Sequence, residues 1–231
     1  MLFRNRVEAG RRLAERLRNY ADRADVIVLA APRGGVPVAY EISEALNLPL
    51  DVFVLRKLGV PGHEELAFGA IASGGVRVID PDIVEGYGIT GSDIERVSQK
   101  EREEMRRREI TYRGARAPLD VGGRTVILVD DGIATGASIR AGIQALRQLS
   151  PARIVVAAPV APPSTCARLR YEVDELVCLE MPEPFYGVGQ FYADFSEVTD
   201  DEVKHLLEHA WREKSERIKG QIEVVPGGGH R

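Results

Sequence analysis

The run Val126-Ile127-Leu128-Val129-Asp130-Asp131-Gly132-Ile133-Ala134-Thr135-Gly136-Ala137-Ser138 constrains this chain more than any other stretch. Four apolar residues in a row read as a strand buried on both faces. They stop at two adjacent carboxylates, and a loop of small residues then opens a helix. Free amides on such a loop and helix start form an anion cradle. Gly132 and Gly136 let the backbone come close, and Thr135 and Ser138 add hydroxyl donors, which suits a phosphate. Two carboxylates beside a phosphate would repel it unless they meet something else. Ribose hydroxyls and a hydrated Mg²⁺ are the natural candidates. The run therefore points to a phosphorylated ribose carrying a metal-bound polyphosphate. Helix capping alone explains neither the carboxylates before the glycine nor the Thr-Gly-x-Ser order.

Around this run the pattern is regular. Residues 26–31 (VIVLAA) predict a buried strand closed by the turn Pro32-Arg33-Gly34-Gly35, then a helix over 36–47 and a strand over 50–56. Further strands are predicted over Thr125–Val129, Arg153–Val160 and 174–180, with helices over 136–149 and 162–171 between them. This alternation means an α/β fold, a parallel sheet flanked by helices. Val7, Leu13, Leu17 and Tyr20 mark a helix over 4–20. Residues 57–62 have the punctuation of a mobile loop, and 66–73 and Val76–Ile79 predict a hairpin around Gly74-Gly75. Residues 92–113 predict a charged helix capped by Ser92, with the thin apolar face Ile94, Val97, Met105 and Ile110. Its expected role is a solvated helix with one edge on the body, the alternative being a cap or a subunit contact. The whole reads as a single domain over 1–219. Its core spans about 24–181, a helical insertion 92–117, and an irregular hood with the C-terminal helix 182–219; 220–231 is expected to be a disordered tail.

Composition narrows the classes. Hydrophobic residues make up 44% of the chain, enough for a core without staples, and the two cysteines, Cys166 and Cys178, form no CxxC, against a zinc site or a disulfide framework. A net charge of −4 weighs against a general nucleic-acid binder. No apolar run approaches the ~20 residues of a membrane span, and the start lacks the apolar stretch of a signal peptide, so a cytoplasmic protein is expected.

The thirteen-residue run resembles the 5-phosphoribosyl-1-pyrophosphate (PRPP) signature of type I phosphoribosyltransferases: four apolar residues, two acidic ones, and a small-residue loop ending Thr-Gly-x-Ser/Thr. The resemblance runs over about 24–181 and is nearest to the predicted bacterial and archaeal phosphoribosyltransferase family. It implies that fold and an Mg²⁺-dependent transfer of 5-phosphoribosyl from PRPP to a nitrogenous base, with release of pyrophosphate. It also implies roles. Asp130 and Asp131 would take the ribose hydroxyls and, through water, the metal; Gly132 and Ala134, Thr135, Gly136, Ala137 and Ser138 would surround the 5′-phosphate. Arg33, Gly34 and Gly35 would form the pyrophosphate loop, where a non-proline peptide is often cis. Lys57, after Arg56, would reach the pyrophosphate as a point charge, making Lys57 and Arg33 the catalytic pair. Glu64 and Glu65 would be solvated or stand near the nucleophile. Oxo-purine enzymes carry an acidic residue where this chain has Ala134, which disfavours a 6-oxo base. A PRPP-binding regulator without transferase activity is the alternative, with the arginine-rich stretch 102–116 in its favour. A homodimer is one admissible assembly.

In the hood, Tyr186, Phe191 and Tyr192, with Phe185, would either stack on the flat base or pack the last helix onto the core. His205 and His209 lack an evident third metal ligand, and Trp211 reads as a core anchor.

Overall fold

The computed structural model describes residues 2–118 and 120–223. In chain order the elements are α1 (Arg6–Arg16), β1 (Val26–Ala30), α2 (Gly35–Leu46), β2 (Leu50–Val52), β3 (Leu55–Val60), β4 (His63–Ala72), β5 (Val76–Ile79), α3 (Pro81–Gly86), α4 (Gly91–Arg113), β6 (Thr125–Val129), α5 (Ala137–Gln148), β7 (Arg153–Val160), α6 (Pro163–Leu169), β8 (Glu175–Glu180) and α7 (Asp200–Glu223). Single 3₁₀ turns lie at Arg18–Tyr20 and Val188–Phe191.

Five strands form a parallel sheet in the order β2-β1-β6-β7-β8. Both faces are covered, which is why β1 and β6 are buried at every position. The side chains alternate as the pleat requires. Val28, Ala30, Ile127 and Val129 pack with α1, α2 and α7, whereas Ile27, Leu29, Val126 and Leu128 pack with α5 and α6. The parallel sheet flanked by helices that was read from the sequence is thus the one observed. The strand order reverses between β1 and β6. In open parallel sheets a crevice for ligand opens outside the carboxyl ends at such a point.

The second layer is an antiparallel ribbon, β3-β4-β5, joined to the first through residues 53 and 54. Here the structure departs from the pattern reading. The single strand expected over 50–56 is two: β2 ends in the parallel sheet at Val52, and β3 begins at Leu55. Residues 57–62 are not a loop but most of β3 and its turn. Gly59 sits at a register shift in the ladder, and Gly62 turns with φ +79°. Gly-x-Pro-Gly punctuation marks a bulge and a tight turn as well as it marks a loop.

α4 begins slightly earlier than expected, with Thr90 rather than Ser92 as its cap and Asp93 closing a capping box. It lies against β3, β4 and α7, burying Met105 and Tyr112 while Ile110 stays 58% exposed. Its last residue, Arg113, is buried and pairs with Asp51 of β2 at 2.8 Å, also donating to the Val52 carbonyl at 2.6 Å. The short α3, unforeseen, is capped by Asp80 with Pro81 in its first turn.

The N-terminal segment ties down the hood. Phe3 pairs with Tyr192 in an isolated parallel bridge, and Phe3, Ala9, Val160, Phe191 and Tyr192 form a small core of their own. α7 closes the α1–α2 side; the Trp211 indole donates to the Leu50 carbonyl at 2.8 Å, the anchoring role expected of it. His209 meets the Tyr40 hydroxyl at 2.9 Å. α7 runs to Glu223, past the expected end at 219; the rest of the expected tail, 224–231, lies outside the described residues. Among the described residues no helix is long and apolar enough to cross a membrane.

Candidate active site

The carboxyl ends of β1 and β6 place two turns side by side. The first is 31–35, with a cis peptide between Pro32 and Arg33. The second is 130–136, which enters α5 through Gly136 at φ +79°. They touch closely. A Cβ on Gly35 would stand 2.7 Å from the Val129 carbonyl, and one on Gly34 would stand 2.0 Å from Asp131 Oδ2. Only glycine fits at either position.

The second turn is an open amide cradle. Ala134, Thr135, Ala137 and Ser138 are exposed, and the amides of Ala134, Thr135 and Gly136 donate to no protein group among the described residues. Its back is braced by Thr165 Oγ1, which donates to the Ala134 carbonyl at 2.8 Å. α5 is a twelve-residue helix, so its N-terminal dipole adds to the attraction for an anion.

The two aspartates diverge. Asp130 lines a cavity of about 600 Å³, its Oδ1 accepting from the Asp131 amide at 2.9 Å. The Asp131 carboxylate is buried and ion-paired with Arg6 of α1 at 2.8 Å. Burial, then the neighbouring Asp131 charge, pushes the Asp130 carboxyl well above the usual carboxylate range. Burial raises Asp131 also, with Arg6 pulling the other way.

The cavity runs between the turns, the ribbon and α4. Its floor is apolar (Phe53, Leu55, Leu128, Ile139) and its rim carries Arg56, Lys57, Arg96 and Lys100. Arg56 is held by Glu101 at 2.7 Å and Arg96 by Asp93 at 2.8 Å. Lys57 and Lys100 have no ion-pair partner among the described residues, although only five of the 31 basic residues in the chain are lysines. α4 is therefore a wall of the cavity rather than a merely solvated helix. Its spacing offered no clue, because Lys100 sits in the same charged run as residues that face solvent. Of the arginines farther along α4, four are engaged by acids, Arg102 with Glu95, Arg107 and Arg108 with Glu104, and Arg113 with Asp51, while Arg106 has no ion pair among the described residues.

Arg33 does not line the cavity. Its guanidinium is bonded to Glu197 and stands 3.9 Å from Asp200, which also accepts from the Tyr112 hydroxyl at 2.8 Å. Burial, then Asp200, pushes the Tyr112 phenol up to about 12.

On the other side of the cradle an open groove is lined by Ala134, Thr135, Pro162, Arg168, Glu183 and Tyr186. Of the three aromatics proposed to stack on a base, Tyr186 stands in this groove, 87% exposed. Phe191 and Tyr192 are core residues instead. Phe191 packs on Phe185 with centroids 4.9 Å apart, and Tyr192 on Phe3 and Phe195. The Tyr192 hydroxyl donates to the Asp131 carbonyl at 2.6 Å, and burial pushes its phenol up. Glu64 faces the first cavity and Glu65 a cavity between the ribbon, α3 and α5, so neither lies in the groove; Glu183 does.

The phosphoribosyl transferase domain family matches residues 2–196, and the chain belongs to it. A Mycobacterium tuberculosis (strain H37Rv) protein provisionally named a phosphoribosyl transferase is 45% identical over 215 residues, 93% of this chain and 48% of the relative. The chain thus spans about half the length of the mycobacterial relatives it matches. The crystal structure of TT1426 from Thermus thermophilus superposes with a TM-score of 0.80 at 44% identity, covering 90% of this chain and 99% of that one. The bifunctional protein PyrR of Chloroflexus aurantiacus is 33% identical over 128 residues, 54% of this chain and 64% of its own.

Proposed function

We propose that this chain transfers the 5-phosphoribosyl group of PRPP to a nitrogenous nucleophile and releases pyrophosphate. The observation that carries the reading is the juxtaposition at one switch point of a free amide cradle, a carboxylate and two unpaired ammonium groups. The cradle at 134–138 holds the 5′-phosphate. Asp130 accepts from a ribose hydroxyl. The pyrophosphate lies toward the turn at 31–35 and the rim cations, where Lys57 and Lys100 meet the charge that builds on it as the bond at C1 breaks. The nucleophile approaches from the groove, with Tyr186 as a stacking face. Arg33, bound to Glu197 in this state, is within the same turn as the pyrophosphate and takes part once released from that carboxylate.

Mg²⁺ fits this donor set as a ligand-borne ion. Among the described residues no three acidic, histidine or cysteine side chains cluster as a cage. Mg²⁺ commonly takes one or two carboxylates and fills the rest with water and phosphate oxygens. Asp130 would hold it, directly or through water, and the ion would supply charge neutralisation on the pyrophosphate.

Pyrophosphate release from PRPP and Mg²⁺, read against a panel of nucleobases and other nitrogenous acceptors, tests the reading. Turnover with one of them is expected. PRPP binding with no turnover on any acceptor would make the chain a PRPP sensor; no PRPP binding would reject both.

Ala134 in the groove makes a further expectation concrete. An oxo-purine must shed a proton as it attacks, and the position from which a carboxylate would take it holds a methyl group. In competition at saturating PRPP, adenine should be used in preference to hypoxanthine or guanine. Efficient use of guanine would overturn this and make Glu183, the carboxylate lining the same groove, the first residue to replace.

A further inference from the structure

The neighbourhood of Asp131 differs in kind from that of Asp130. Adjacent residues at a strand end point to opposite faces. Asp130 follows Leu128 toward the cavity. Asp131 follows Val129 toward the side packed by α1 and α2. There its Oδ2 accepts from Arg6 Nε at 2.8 Å, both side chains being about nine-tenths buried at 10% and 12% exposure. The same guanidinium donates through Nη1 to the Ser196 carbonyl at 2.8 Å and lies over the Phe195 ring at 3.9 Å. Gly34 presses against the carboxylate, and the Tyr192 hydroxyl holds the Asp131 carbonyl. Four segments remote in sequence therefore meet on one residue: α1, the 31–35 turn, the 130–136 turn and the hood.

We infer that the paired aspartates are divided in function. Asp130 alone presents a carboxylate to the ribose. Asp131 is the anchor on which Arg6, a positioning residue, assembles the N-terminal helix and the hood around the cradle. The ribose half of this rests on the PRPP reading; the anchor half does not. Asp131 as a whole is 8% exposed with its Oδ2 on Arg6, and turning the carboxylate out toward a diol would break the 2.8 Å ion pair and strand a buried guanidinium, which is costly. A planar fork suits the anchoring task, since one group bonds the carboxylate, bonds a carbonyl and stacks on a ring at once.

The test is a set of variants, Asp130→Asn, Asp131→Asn, Arg6→Gln, Arg6→Lys and the neutral pair Arg6→Gln with Asp131→Asn. Each is measured for Mg²⁺–PRPP affinity by calorimetry at low temperature and for Tm. Asp130→Asn should lose at least about tenfold in affinity with a Tm that is unchanged or raised. Asp131→Asn and Arg6→Gln should each lower Tm by about 5–15 °C while affinity stays within about threefold. Arg6→Lys, which keeps the charge, should lose less Tm than Arg6→Gln. The neutral pair should recover part of what either single change loses, because neither group is then left alone. Asp131→Asn matching Asp130→Asn in lost affinity at wild-type Tm would overturn the division. Strictly additive Tm losses would overturn the anchor. Absence of PRPP binding by the unmodified protein would instead reject the functional reading, and the Tm cycle would still decide the anchor.

Discussion

Lys57→Ala should cut turnover by about 10²–10³ while PRPP affinity changes only a few-fold. The expectation rests on which of the four rim cations are already engaged. Arg56 and Arg96 face carboxylates at 2.7 and 2.8 Å, so their charge is partly neutralised before any ligand arrives. Lys57 and Lys100 are not. An ammonium is a compact, strongly hydrated point charge on a flexible stem, and it can follow charge as it shifts onto a leaving group. Ground-state binding is shared with the amide cradle and the other cations, so removing one ammonium weakens it little. The transition state has more negative charge on the pyrophosphate, and there the loss is felt. Steady-state kinetics with calorimetric PRPP affinities check this. Lost affinity with unchanged kcat would make Lys57 a ground-state binder. Lys100→Ala should fall in the same direction, showing that α4 is part of the catalytic wall.

Arg113→Ala should lower the unfolding free energy by about 3–5 kcal/mol. Arg113 and Asp51 are 4% and 3% exposed as side chains, and the pair joins the last turn of α4 to the edge strand β2. Removing the guanidinium deprives a buried carboxylate of that cation and the Val52 carbonyl of its 2.6 Å donor. Glu109 loses its partner as well, and Glu109 accepts from Ser73, whose Oγ in turn accepts the Val54 amide where the chain leaves the parallel sheet. Urea unfolding of the variant measures the loss. A change below about 1 kcal/mol would place the pair among those that contribute little net stability. Because α4 carries Lys100, the surviving folded variant should also turn over more slowly, through displacement of the helix rather than loss of a contact.

What could be read in advance divides along a physical line. The parallel sheet was legible because strands buried on both faces need continuous apolar runs, as in 26–31 and Thr125–Val129. The cradle was legible because a turn that leaves its backbone amides open demands glycine and small residues in sequence. Both are local requirements. The β4–β5 hairpin was legible too, but the first strand of the ribbon was not, because Gly59, Pro61 and Gly62 serve a bulge and a tight turn as readily as a loop; pairing with β4 settles which. Phe191 and Tyr192 look like stacking rings in isolation, and only Phe3, arriving from the other end of the chain, buries Tyr192 in a core.

The sequence by itself determined the alternation of strands and helices in the parallel sheet, the family, and the glycine-bearing turns after β1 and β6. Each of these follows from contacts within a few residues or from the period of burial. Tertiary structure alone decided which charges act. Arg6 is one of several arginines in its helix, among them Arg11, Arg12 and Arg16, yet it is the one that reaches Asp131. Lys100 is one charge in a long charged helix, yet it is turned to the cavity. Arg33 lies in the expected turn, yet it is bound to Glu197. The strength of a charge depends on its distance to others and on the water it has lost, and neither is set until the chain has folded.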